Sequence, residues 1–330
     1  MRALRDNVRP MNIAPDLSII IVSWNCRDVL LNCLGSMSDG AGDISFETIV
    51  VDNQSDDGSA EAVTKAFPGV TLIANENNPG FAAANNQAIA IARGRHILLL
   101  NPDTVVEKGT LAGLVAELDA DESIGALGPT LLETDGSVQP SVRELPSFAA
   151  FCDRYTPLRT LRVCRRAYRR YKMKQFDYSR PADVPSLVGA AIAIPRRVLD
   201  DVGLLDERFF LYFEETDLCR RIAAAGYRVH YTPKVRIVHI GNVSASESTP
   251  GLLYRRSIFQ YLAKHGGRWA RLKVHALRLG MFCQEFLQLI YCSVAVCALV
   301  VVLQFARAKN KLHRLRRALR FVGSDVWKTF

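Results

Sequence analysis

The sequence has 330 residues, of which 49% are hydrophobic, and it carries 42 Lys and Arg against 33 Asp and Glu. That composition supports a domain of roughly 200 residues or more with a sizeable core, plus an appended element. The formal charge of +9 is uneven, with much of the excess in 154–180 and again in 307–320. Basic clusters attract phosphates generally: nucleic acid, anionic lipid or diphosphate-linked substrates. No RNA-binding aromatic motif, zinc finger or helix-turn-helix signature accompanies them, so nucleic acid is set aside as a partner. Eight cysteines are scattered without a CxxC pair, and Cys292 and Cys297 lie inside apolar runs. That pattern favours reduced, buried thiols in the cytosol over a disulfide framework or a zinc site.

In chain order, residues 1–16 are polar and basic with Pro10 and Pro15, and read as a loose arm, neither signal peptide nor anchor. The run 17–22 is β-branched and too apolar to face water, so it reads as a central parallel strand. A helix over 28–37 follows, then a strand over 47–51 ending at Asp52, a helix over 59–67 and a strand over 70–74. After Asn77-Asn-Pro-Gly80 an Ala-rich helix runs to about Arg93; a strand over 96–100 and a helix over 109–118 complete the series. Alternation at this spacing predicts an open α/β sheet with helices on both faces. Ligands of such sheets bind beyond the carboxyl ends of the strands, where Trp24, Asn25, Asp52, Asn53, Asn101 and Asp103 fall.

Beyond Gly125 the pattern changes. Asp135-Gly136 inside 131–138 is a hairpin-turn signal. The segment 143–180 is basic, aromatic and weakly periodic, and reads as a mobile insertion over the site. A buried strand over 186–194, a short helix after Pro195, a helix over 214–225 capped by Gly226, and one or two strands within 228–239 complete the domain. The one membrane-like stretch, 286–306, is roughly long enough to span a bilayer. Its basic flanks on both sides fit poorly with a crossing. A helix or re-entrant hairpin lying in the cytoplasmic leaflet is the preferred reading; a true span and a core or dimer helix are the alternatives.

Two acidic segments carry the chemistry. In His96-Ile-Leu-Leu-Leu-Asn-Pro-Asp-Thr104 an oxygen pair at the end of a strand can project toward one hard cation. In Phe209-Phe-Leu-Tyr-Phe-Glu-Glu-Thr-Asp-Leu-Cys219, Glu214, Glu215 and Asp217 crowd a helix start. One or two would suit the helix dipole alone, but three after an aromatic run suggest a carboxylate of raised pKa able to serve as a general base. Asp52 can accept the ring N–H of a uracil or thymine base, whereas Ser55 and Asp57 read as turn and cap residues. His239 follows a strand and is a candidate metal or diphosphate ligand, with a structural histidine as the alternative. Strand one runs into Ser23-Trp-Asn-Cys-Arg27 without a glycine, and no P-loop lysine follows any strand. A dinucleotide-dependent oxidoreductase and a P-loop ATPase are therefore excluded.

Taken together, Ile19-Ile-Ile-Val-Ser-Trp-Asn25, Val50-Val-Asp-Asn-Gln-Ser55, Asn78-Pro-Gly-Phe-Ala-Ala-Ala-Asn-Asn86, Leu99-Leu-Asn-Pro-Asp103, Val188-Gly-Ala190 and 209–220 with Gly226 resemble family 2 glycosyltransferases of the GT-A fold. The nearest likeness is to bacterial rhamnosyltransferases of cell-wall and O-antigen assembly, over 17–244. The resemblance implies a mostly parallel sheet flanked by helices over 17–245, with a C-terminal helical, membrane-associating region over 246–330. It implies that Ser23, Trp24, Asn25, Asp52, Asn53, Gly80, Phe81, Asn85 and Asn101 hold a nucleotide diphosphate-sugar. Asn101 and Asp103 stand in the family's Asp-x-Asp position, with Asn in place of the first Asp. Asp103 and His239 are then the ligands of Mg²⁺ or Mn²⁺. Glu214-Glu215 replaces the usual Glu-Asp, which makes Glu215 the base and Asp217 the runner-up.

The implied reaction is inverting sugar transfer at the cytoplasmic membrane surface, with dTDP-L-rhamnose as donor and a lipid-linked sugar or growing polysaccharide as acceptor. A UDP- or GDP-sugar donor, a nucleotidyltransferase and a silent scaffold of a polysaccharide assembly complex are the alternatives, and a homodimer is compatible with the apolar tail.

Overall fold

The structure is a computed structural model that describes residues 14–241, 250–301 and 305–320. Most of the expected N-terminal arm, Ser244 and residues 302–304 of the apolar stretch lie outside the described residues. In chain order the elements are β1 (Leu17–Ser23), α1 (Arg27–Ala41), β2 (Phe46–Asp52), α2 (Ser59–Ala66), β3 (Thr71–Ala74), α3 (Phe81–Ile91) and β4 (His96–Leu100). β5 (Thr104–Val106), α4 (Thr110–Ala120), β6 (Ile124–Leu132), β7 (Val138–Gln139) and β8 (Val142–Arg143) follow. Next come α5 (Phe148–Tyr155), α6 (Leu158–Leu161), α7 (Arg165–Tyr171), β9 (Ala182–Asp183), β10 (Ser186–Leu187) and β11 (Ala191–Pro195). The chain continues through α8 (Arg196–Val202), α9 (Glu214–Ala224), β12 (Arg228–His239), α10 (Pro250–His265), α11 (Ala270–Val301) and α12 (Phe305–Arg320). Two compact units result, one from the described parts of Met1–Val142 and Asp177–Ser246, the other from Arg143–Phe176 and Glu247–Phe330.

The first unit is built on one sheet in the order β3-β2-β1-β4-β11-β6-β12-β5. β1 pairs in parallel with β2 and β4, and β2 with β3. Leu17, Ile19 and Ile21 of β1 join a core shared with Leu30 and Leu34 of α1 and Leu111 and Leu114 of α4. The period-two alternation of a strand sends Ile20 to the opposite face, which is equally closed. A run of β-branched residues with both faces covered is what a central parallel strand requires.

Two features depart from the strand–helix series. β11 lies antiparallel between β4 and β6, and β5 closes the sheet antiparallel to β12. The strand expected over 186–194 is interrupted at 188–190, where the chain leaves β10 and enters β11. β12 is one strand rather than two, and its register against β6 jumps between Tyr231 and Arg236. Pro233 lies in that jump and has no N–H to give to a ladder.

The second unit is helical. Phe151 of α5 is buried and meets Tyr171 of α7 edge-on at 5.8 Å between ring centroids. The Tyr171 hydroxyl lies 3.2 Å from that of Tyr254 on α10, and Arg255 of α10 pairs with Glu285 of α11 at 2.6 Å. The segment expected to be a mobile insertion is therefore three short helices sharing a core with the C-terminal ones. Helices of 4–8 residues show too few turns for periodicity to reveal them. α11 contains a stretch, Gly267–Cys297 with its preceding turn, long and apolar enough to cross a membrane. α12 doubles back along it: Lys311 Nζ sits 3.3 Å from the Tyr291 hydroxyl and 4.4 Å over its ring.

One ion pair fixes α9 in the first unit. Asp217 is fully buried, and its Oδ2 accepts from Arg221 Nε at 2.8 Å. The same guanidinium donates to the carbonyls of Val202, Gly203 and Leu204 at 2.7–3.1 Å, tying α9 to the end of α8. Arg221→Ala deprives a buried carboxylate of its cation and is expected to cost about 3–5 kcal/mol in urea unfolding. Arg221→Ala/Asp217→Asn should recover part of that loss; an unchanged midpoint for the single variant would remove this pair from the account of the fold.

Candidate active site

The parallel strands end together. Ser23 of β1 is in register with Asp52 of β2, the Asn53 amide donates to the Ser23 carbonyl at 2.9 Å, and the Asn75 amide donates to the Asp52 carbonyl at 2.9 Å. Asp52 is buried, and its two oxygens accept from the Ser55 amide (2.9 Å) and hydroxyl (2.6 Å). This turn holds the carboxylate still and leaves each oxygen a further lone pair. Asp57 accepts from the Ser59 amide and hydroxyl, as a residue shaping the start of α2 should. Asn25, at φ 50°, receives the Asp56 amide on Oδ1, and Trp24 beside it is 37% exposed at the open edge.

Asn53, Asn75 and Asn78 form a side-chain lattice at the next edge. Asn75 donates to Asn53 at 2.9 Å, Asn53 donates to Asn78 at 3.3 Å, and Asn78 Oδ1 accepts the Gly80 amide at 3.0 Å. Gly80 has φ +93°, and a Cβ there would come within 2.6 Å of the Phe210 carbonyl oxygen. The Phe81 amide donates to that same oxygen at 2.7 Å. Only glycine allows this approach, which clamps the start of α3 to the loop feeding Glu214. Asn85, expected at the donor face, is instead 1% exposed and turned back along its helix to the Phe81 carbonyl at 2.8 Å. The residue that sequence reasoning passed over is Asn86, which receives the Leu205 amide and donates to the Leu205 carbonyl and to Glu207.

Asn101, Asp103 and His239 converge. The Asn101 amide donates to the Ala190 carbonyl at 2.9 Å, and the pairing of Thr104 with His239 between β5 and β12 brings the imidazole over. His239 Nε2 lies 3.3 Å from Asp103 Oδ1 and 3.4 Å from Asn101 Nδ2. The other face of the ring settles the tautomer. Gln139 Nε2 donates to Glu133 at 2.9 Å, so its amide oxygen is what meets His239 Nδ1 at 2.7 Å. Nδ1 therefore carries a proton, and Nε2 is the ring nitrogen that faces Asp103. Asp103 Oδ1 is buried and makes no hydrogen bond. A carboxylate oxygen without a hydrogen bond beside the Nε2 of an imidazole suits a cation shared between them, which would take the neutral form of the ring. Among the described residues no three His, Cys, Asp or Glu side chains form a complete cage. This donor set thus fits a divalent ion that takes its remaining ligands from substrate phosphates and water, the usual habit of Mg²⁺.

The acidic helix start approaches from the other side. Tyr212 and Phe213 both take left-handed backbone (φ 70° and 72°), an uncommon and costly state for bulky residues, and they aim α9 at the site. Glu214 is buried and Glu215 only partly so; one oxygen of each is enclosed without a partner. Burial among aromatic and aliphatic groups raises the pKa of both carboxyls, and the charge of Glu215 raises that of Glu214 further. Glu215 Oε1 accepts from the Thr216 hydroxyl at 3.2 Å, and its methylenes lie 3.6 Å from where a Gly189 side chain would begin. Gly189 and Ala190 thus touch Glu215 on one side and Asn101 on the other. Asp217, the sequence runner-up for base, is committed to Arg221 and closed to solvent, so it has neither the lone-pair access nor the reach.

The family model described as glycosyltransferase like family 2 matches residues 15–271. The chain belongs to this family. A glycosyltransferase it therefore is, with the strand ends, the Asp103–His239 pair and the acidic helix start all in the first unit. Curated relatives include an N-acetylglucosaminyl-diphospho-decaprenol L-rhamnosyltransferase of Mycobacterium tuberculosis, 28% identical over 77% of this chain and 86% of its own. Rhamnosyltransferase WbbL of Escherichia coli is 24% identical over 74% of this chain and 92% of its own. Among solved structures, a mannosyltransferase from Pyrobaculum calidifontis with GDP-Man and Mn²⁺ superposes with TM-score 0.55 at 20% identity, covering 95% of this chain and 88% of that one. GalNAc-T7 with UDP, GalNAc and Mn²⁺ gives 0.52 at 18% identity, over 83% and 55% of the two chains. These likenesses establish the GT-A fold.

Two outcomes follow from the geometry. Gln139→Leu removes the acceptor that fixes the imidazole and is expected to weaken Mn²⁺ binding by about 10–100-fold, read by calorimetry or paramagnetic broadening. Undiminished affinity would mean the tautomer is held otherwise. The raised carboxyl pKa places the acid limb of kcat/KM above the ordinary carboxylate range, with activity lost as pH falls through it. The charge of Glu215 holds Glu214 the higher of the two, so Glu214 is still a neutral acid as Glu215 ionises and the neutral Glu214→Gln should leave that limb close to its place; a limb that moved far to lower pH would mean that Glu214 is charged while Glu215 titrates.

Proposed function

We propose that this glycosyltransferase carries L-rhamnose from dTDP-L-rhamnose to a hydroxyl of a polyprenyl-diphosphate-linked sugar, with inversion, at the cytoplasmic face of a membrane. One observation carries the chemistry: Asn101, beside the Asp103–His239 pair, and the Glu215 side chain meet the same short loop at Ala190 and Gly189. The donor and acceptor classes are supported by the relative named for L-rhamnosyl transfer to N-acetylglucosaminyl-diphospho-decaprenol.

Asp52, held by Ser55, accepts the ring N–H of the base, while Ser23, Trp24, Asn25 and Asn53 border the nucleoside. Asp103 and His239, with Asn101 beside them, would hold Mg²⁺ or Mn²⁺, whose role is to neutralise charge on the departing diphosphate. Glu215 is ionised when it acts, and takes the proton of the acceptor hydroxyl as that oxygen bonds to the anomeric carbon. The bond from that carbon to the diphosphate breaks in the same displacement, so no enzyme nucleophile is needed. Burial keeps the Glu215 carboxylate poorly solvated and therefore basic.

Monotopic attachment through the second unit is supported by the return of α12 along α11. Lys311 is level with Tyr291, so the basic helix and the apolar stretch lie side by side. A basic amphipathic helix of this kind suits an anionic leaflet.

The test is transfer of labelled sugar to detergent-solubilised polyprenyl-diphosphate-linked N-acetylglucosamine, with dTDP-rhamnose, UDP-sugars and GDP-sugars in parallel. Product is expected from dTDP-rhamnose; turnover confined to UDP- or GDP-sugars would replace that donor. Glu215→Gln is expected to lower kcat by about 10²–10⁴-fold with little change in donor KM. Unaltered turnover in this variant would take the base role from Glu215.

A further inference from the structure

The second unit holds a cavity of about 590 Å³ that plays no part in the chemistry above. Arg154, Arg159, Arg162, Arg165, Arg169 and Lys174 line it, from α5, α6, α7 and the turn beyond. Its size is that of an ordinary small-ligand site. Between residues 143 and 176 the chain has ten Arg and Lys against Glu144 and Asp153 alone, nearly the whole net charge of the protein. Glu144 is spent on Arg170, outside this cavity, at 3.2 Å. Among the described residues, none of the six lining cations forms an ion pair. Asp153 also lines the cavity; it is 7% exposed, and its Oδ1 has no hydrogen-bond partner. One carboxylate among six cations leaves a strong positive potential. Burial depresses the pKa of Lys172, and the neighbouring cations Arg143, Arg154 and Lys174 depress it further. Six like charges gathered around a single carboxylate still repel one another, and a multiply charged anion relieves that repulsion best.

The surroundings narrow the kind of anion. Leu158, Leu161 and Val163 alternate along the chain with Arg159 and Arg162, and Leu161 and Val163 are 68% and 71% exposed. Large apolar side chains beside a cationic mouth suit a ligand that is anionic at one end and aliphatic at the other. Guanidinium groups engage phosphate oxygens in bidentate fashion, and Tyr168 adds a hydroxyl donor to the same wall. We propose that this cavity is a binding site for the phosphate or diphosphate headgroup of a membrane lipid. The site lies wholly within the second unit and does not depend on the assignment of donor sugar or base.

The test uses the full chain in EDTA without nucleotide sugar, so that the cation-dependent donor site is silent. Inorganic pyrophosphate is titrated calorimetrically. Flotation is measured with phosphatidylcholine vesicles carrying either phosphatidylglycerol or a polyprenyl diphosphate at matched charge. Arg159→Gln/Arg162→Gln/Arg165→Gln changes three exposed side chains and should leave the unfolding midpoint in place. The triple variant is expected to lose about tenfold in affinity for pyrophosphate and for vesicles of either charged kind, and added salt should weaken the wild type toward it. Preference for the polyprenyl diphosphate at equal charge assigns the headgroup to that lipid. Equal binding assigns it to bulk acidic lipid, and either result supports the site. Pyrophosphate binding without any vesicle difference between wild type and variant would overturn the lipid assignment. A variant that binds every probe as the wild type does would overturn the site itself.

Discussion

The antiparallel insertion of β11 beside β4 is the constraint on which the active site depends. With Ala191 opposite Leu100, the carbonyl of Ala190 receives the Asn101 amide. The turn before it, at Gly189, then meets Glu215. Two acidic segments about a hundred residues apart in the chain are thereby brought to one small loop. Strand register is not adjustable here, because a one-residue slip would invert every side chain of β11 between two buried faces. The β5–β12 pair does the same for His239, which has no sequence neighbour that could bring it to Asp103.

Around that frame the site is divided electrostatically. Asp103 faces an imidazole whose Nδ1 is held on its far side by Gln139, itself oriented by Glu133. Burial raises the pKa values of Glu214 and Glu215, and the charge of Glu215 raises that of Glu214 further. In the proposed reaction one carboxylate would share a cation and the other would take a proton, a separation of roles that their different surroundings favour. The raised pair also bears on stability. Because the folded chain binds these protons more tightly than the unfolded one, the pair favours folding at low pH. That contribution is lost as pH rises from the ordinary carboxylate range through the raised values. The left-handed turn at Tyr212 and Phe213, clamped through Phe210 to Gly80, is a second cost accepted for geometry.

The helical unit separates charge from chemistry. Its arginines lie apart from the carboxylates of the sheet edge in sequence and in unit, and its apolar helix is accompanied by a basic one.

The sequence by itself determined the parallel core, the donor edge and the acidic segments. β-branched runs such as 17–22 bury on both faces whatever surrounds them, and Asp52, Asn101 and Asp103 follow directly from the strand ends that carry them. It also carried the family motifs, because those residues are contiguous. Tertiary structure alone decided what depends on pairing between distant segments. Asp217 could not be told from a base until Arg221 was found across a helical turn with the α8 carbonyls in its reach. Asn85 and Asn86 are adjacent and alike in sequence, yet one turns into its own helix and the other straps the 205–207 loop. Gln139 is an ordinary hairpin residue until β12 delivers His239 to it. Local pattern follows from side-chain burial along one segment, whereas protonation, tautomer and access follow from which segments the sheet register brings face to face.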